Sequence, residues 1–141
     1  MRARVLAALF TAVIVVPSAL ASAAGPRSGD LHATKNCLGF TGDPGSYCLI
    51  TSSNLPQIEV GTRINYLQPP LLLTPGGTDV ILDPPGPGNN TAFGNCSLAV
   101  GLCTFWGGTG KFEHFQASVA VTPLGGYDWA WDGTYSFSPT D

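Results

Sequence analysis

The sequence predicts an all-β domain behind a secretory signal. Three observations carry that expectation. Short apolar runs are separated by turn-forming residues along the whole chain, with 18 Gly and 12 Pro in 141 residues, the punctuation of short strands. Two runs alternate with period two: Ile58, Val60, Thr62, Ile64 and Tyr66 share one face, and Phe115, Ala117, Val119 and Val121 share another. No stretch beyond the signal has convincing helical spacing, and no segment repeats at a fixed period.

Residues 1–23 read as a signal peptide. Arg2 and Arg4 form its basic start, an apolar run follows from Val5 to Val16, Pro17 ends the run, and Ala21-Ser22-Ala23 is a small-x-small cleavage site. That run is short for a membrane span, and no second run is long enough, so no stable membrane insertion is expected after cleavage. About 118 residues then remain, enough for one domain with a real core. Loss of Arg2 and Arg4 leaves four basic residues against nine acidic ones, a net charge of about −5. Arg27, Lys35, Arg63 and Lys111 do not cluster, which argues against nucleic acid as a partner, because that needs several phosphate-neutralising cations.

Taken in order, residues 24–36 are short, polar and mixed, and read as a flexible leader before a domain at 37–141. Residues 46–52 read as a strand, 53–56 as a turn and 58–66 as the first alternating strand, which Pro69 and Pro70 stop. Residues 71–73 are an apolar connection, 74–77 a turn, 78–82 a short strand and 83–90 a Pro/Gly loop. Residues 91–100 and 102–106 make a hairpin across Gly101. Residues 115–122 are the next strand, Gly125-Gly126 turns, and the final strand sets Trp129, Trp131, Gly133, Tyr135 and Phe137 on one face.

Between the last two hairpins lies Phe105-Trp106-Gly107-Gly108-Thr109-Gly110-Lys111-Phe112. Its glycines are poor strand interior and predict a turn or sharp bulge. A phosphate-binding loop would need a Gly-Lys-Ser/Thr end and a following helix; here Phe112 follows Lys111 and the pattern becomes strand-like. Gly107-Gly108-Thr109-Gly110-Lys111-Phe112 resembles the Gly-Gly-Thr-Gly-x-Phe signature of the allene oxide cyclase and dirigent superfamily. Gly61-Thr62-Arg63 with Tyr66 upstream, and Gly133-Thr134-Tyr135-Ser136-Phe137 downstream, fall in a similar order. The likeness is greatest to small secreted bacterial proteins described as allene oxide cyclase barrel-like, and covers residues 37–137. Strand pattern alone fits a barrel or a sandwich; the resemblance implies a single antiparallel eight-stranded β-barrel with an apolar cavity and no cofactor. After Phe112 the chain reads Glu113-His114-Phe115-Gln116-Ala117-Ser118, without the Arg of the dirigent pattern, so no radical-coupling residue carries over. Glu113 matches an acid that often follows this Phe in the cyclases.

Four cysteines in an exported chain predict two disulfides. Of three connectivities, the local one, Cys37 with Cys48 and Cys96 with Cys103, is favoured by the turn-forming glycines inside each interval. The intervals are too wide for Cys-x-x-Cys zinc ligation, and His114, the one His beyond the leader, makes no metal site with scattered acids.

Candidate site residues form two groups. Phe115, Trp129, Trp131 and Tyr135 are either plain core or the wall of a ligand cavity, with Gly133 leaving a gap that a ligand or a facing side chain fills. Glu59, Arg63 and Asn65 share a strand face, and Glu113 and His114 follow the glycine turn. Facing inward, Glu59, Arg63 or Glu113 would supply acid–base chemistry; facing outward, they are solvated. Two functions follow: a secreted, cofactor-free cyclase or isomerase acting on a hydrophobic small molecule, or a non-catalytic extracellular binding protein for an apolar small molecule. An inward Glu59 or Arg63 favours the first, and a wholly apolar interior the second.

Overall fold

A computed structural model describes residues 11–14 and 26–138. The cleavage site and most of the predicted signal lie outside the described residues. Eight strands form a closed antiparallel barrel in which each pairs with its neighbours in sequence and the last pairs with the first. They are β1 (Ser28–Asn36), β2 (Tyr47–Ser53), β3 (Arg63–Tyr66), β4 (Thr78–Asp83), β5 (Thr91–Ser97), β6 (Leu102–Thr109), β7 (Gln116–Gly125) and β8 (Asp128–Ser136). Closure leaves no unpaired edge. Cys37–Cys48 and Cys96–Cys103 are the two disulfides.

The predicted flexible leader is mostly β1, a correction that moves the start of the barrel to Ser28. β1 is the closing strand: Ser28 to Asn36 pair along their length with Ser136 to Asp128 of β8, while Ala33 to Asn36 also pair with β2. Its polar residues face out, and Leu31, Ala33 and Lys35 face in and are buried. The predicted strand 58–66 shrinks to β3. Upstream, Leu55 and Ile58 fold into the end of the barrel and are buried. Thr62 closes that turn by donating from its N–H and its hydroxyl to the Glu59 carbonyl, at 3.0 and 2.6 Å. Pro69 and Pro70 open a 3-10 helix, Pro69–Leu73, where a plain connection was expected; proline suits a first helical turn, where its missing N–H has no partner to lose.

The glycine stretch does both things expected of it. The β5–β6 register slips between Phe93 and Gly94, leaving Trp106 as the extra residue of a bulge. The chain then leaves the sheet through the 3-10 turn Gly110–Phe112, with Gly110 at φ 58°. That corner drops Phe112 into the closed end of the barrel. Phe105, Phe112, Phe115 and Trp131 meet there with ring centroids 5.4 to 5.9 Å apart, all buried, the spacing of favourable aromatic pairs. The opposite end is open, because its loops stand around the interior rather than filling it.

Candidate functional site

At the open end lies a cavity of about 370 Å³, within the range of small-molecule sites, roughly 300–1,000 Å³. Four loops supply its walls. Phe40 and Gly42 come from the disulfide-stapled β1–β2 loop, and Leu72 and Leu73 from the 3-10 helix. Leu98 comes from the β5–β6 turn, with Tyr127 and Trp129 from the β7–β8 turn and the start of β8. Leu73 and Tyr127 are exposed at the rim, whereas Lys35, Tyr66 and Cys48 are buried at the base. The Cys37–Cys48 bridge ties the base to the loop above it.

The base carries a close pair of ionisable groups, Lys35 and Tyr66. β1 alternation points Lys35 inward, and its cross-strand partner in β8 is Trp129, so the two side chains share a face. Lys35 Nζ donates to Tyr66 Oη at 2.8 Å and lies 5.1 Å from the Trp131 ring centroid. Tyr66 Oη is 3.3 Å from Cys48 Sγ. Cys48 is in a disulfide and has no proton, so the phenol is the donor. No carboxylate pairs with Lys35 among the described residues. Burial therefore dominates: it lowers the Lys35 pKa from the ordinary 10.5 to about 7, and raises that of Tyr66 above its usual range. Near neutral pH the site holds a phenol and an amine with a substantial neutral fraction, the condition for a nucleophilic lysine.

The predicted wall residues do not line one cavity. Phe115 and Trp131 belong to the closed-end core, both fully buried. Only Trp129 borders the cavity. Tyr135 adjoins a separate, more open hollow beside Gln116 and Ser118, and its hydroxyl donates to the Pro26 carbonyl at 3.1 Å. Gly133 leaves no gap for a ligand, because a Cβ there would collide with the Ser118 carbonyl of β7. The weak catalytic candidates all face out. Glu59 pairs with Lys111 at 2.9 Å, the Arg63 guanidinium lies 3.7 Å over the Tyr47 ring, and Glu113 is exposed near His114, at 3.6 Å.

Sequence reasoning missed Lys35. Its signal was the inward series Leu31, Ala33, Lys35, hidden inside a segment taken as leader. Among the described residues, no group of three or more His, Cys, Asp or Glu side chains is placed to hold a metal ion, and no helix is long and apolar enough to cross a membrane. No protein-family model, curated protein or solved structure matches the chain.

Proposed function

We propose that this protein is a secreted barrel that binds an apolar small molecule in the open-end cavity. The observation that carries the reading is the cavity itself: walls of Phe40, Leu72, Leu98 and Trp129 around one polar pair, Lys35–Tyr66. A mostly apolar pocket with few converging polar groups is the usual form of such a site. Export is supported by the signal-like residues 1–23 and by two disulfides, which persist in oxidising compartments. The closed eight-stranded barrel, and the glycine motif at the corner after β6, support kinship with the allene oxide cyclase and dirigent-like barrels.

Binding is preferred to catalysis because Glu59, Arg63 and Glu113 lie outside the barrel. A cofactor-free isomerase or cyclase is the second reading, favoured by the buried amine–phenol pair. Native mass spectrometry of protein purified from its own source tests the binding reading. A retained apolar molecule, displaced by the neutral dye N-phenyl-1-naphthylamine, is expected. A ligand-free protein that the dye does not occupy would overturn it.

A further inference from the structure

We propose that Lys35 captures apolar aldehydes or ketones covalently and reversibly, as an imine formed at the base of the open-end cavity. This rests on the cavity-binding reading and names the class of ligand.

Geometry carries the inference. Lys35 is 4 % exposed, borders the cavity and has no carboxylate partner among the described residues. A buried ammonium without a counter-ion is costly, and depression of the pKa to about 7 leaves a free lone pair near neutral pH. Lys35 Nζ donates to the Tyr66 hydroxyl at 2.8 Å. The other lysine, Lys111, lies outside the cavity and is paired with Glu59.

The step balances without an oxidant or reductant. The Nζ lone pair attacks the carbonyl carbon, a C–N bond forms, and the carbonyl π pair moves to oxygen. The new ammonium gives a proton to Tyr66 Oη as the Tyr66 hydroxyl passes its own proton to that oxygen. The phenol proton is available because it otherwise faces only a disulfide sulfur, at 3.3 Å, a weak acceptor. The carbinolamine then loses water to give the imine, and hydrolysis reverses the sequence. The apolar walls hold the carbonyl compound against the amine, replacing a bimolecular encounter with a positioned one.

The test uses trans-cinnamaldehyde with sodium cyanoborohydride, followed by intact mass and peptide mapping, and cinnamyl alcohol as the analogue without a carbonyl. A single saturable adduct on Lys35 is expected. At about pH 7.5 it should form roughly a hundredfold faster than any on an ion-paired lysine such as Lys111. Lys35→Met should lose the adduct yet still bind cinnamyl alcohol, read by intrinsic tryptophan fluorescence, and Tyr66→Phe should slow the adduct without abolishing it. Saturable alcohol binding with no Lys35 adduct would overturn the imine and leave the binding reading standing. If neither compound binds, both readings fall. Labelling confined to Lys111 or the N-terminus also overturns the proposal.

Discussion

Replacing Lys35 by Met should remove a pH dependence from the stability of the barrel. In the folded chain burial lowers the Lys35 pKa from the ordinary 10.5 to about 7. Between those values the unfolded chain binds a proton that the folded chain does not, so stability rises with pH across the window. Below about pH 7 both states are protonated, the group adds no slope, and the full cost of a buried charge is present. At about 1.4 kcal/mol per pH unit, the wild type should gain about 3 kcal/mol from pH 6 to pH 9 through this group alone. Urea unfolding of wild type and Lys35→Met, disulfides intact, measures it. Groups common to the two proteins cancel in the difference. The Tyr66 phenol, held neutral by burial, stays out of the range. The variant should be the more stable at low pH, with its advantage shrinking by about 3 kcal/mol toward pH 9. Parallel curves would refute the buried, unpaired amine.

Trp131→Ala should cost about 3–5 kcal/mol, because Trp131 is packed in the closed end. Trp129→Ala should cost less and weaken dye binding; chemical melts and titrations of both variants separate the two roles. Gly133→Ala should lose about 3 kcal/mol or more, since the new methyl meets the β7 backbone; a neutral effect in thermal melts would show that the strands can part there. Replacing Cys96 and Cys103 together by Ala should cost roughly 2–3 kcal/mol, the value of closing a short loop, read as a lowered urea midpoint.

The strands of the second half were legible because their inward residues are apolar and their turns are marked by glycine, as at Gly101 and at Gly125-Gly126. Both disulfides followed from local spacing and the signal-like start of the sequence. β1 was illegible for a physical reason: it is paired on both sides, so backbone bonds and closure hold it, while its inward set contains Lys35 and only two apolar residues. The segment 58–66 shows the converse. Ile58 and Thr62 are buried, but Val60 on the same predicted face is exposed, because the chain runs through a turn there and period-two alternation holds only along an extended strand. The aromatic face of β8 was found correctly, yet alternation does not tell which end of a barrel is filled. Trp131 and Trp129 are two residues apart, one in the core and one at the cavity.

Titration of N-phenyl-1-naphthylamine into wild type and Leu98→Trp bears most directly on the central claim, that the open-end cavity receives an apolar molecule. Leu98 is half-buried on the cavity wall, so a larger side chain there takes up the space while the closed-end core is untouched. Saturable one-to-one binding by wild type is predicted, at least tenfold weaker in the variant, a loss of about 1.4 kcal/mol or more, with unchanged far-ultraviolet circular dichroism and a cooperative melt. Non-saturable binding by wild type, or equal affinity in a folded Leu98→Trp protein, would contradict the claim.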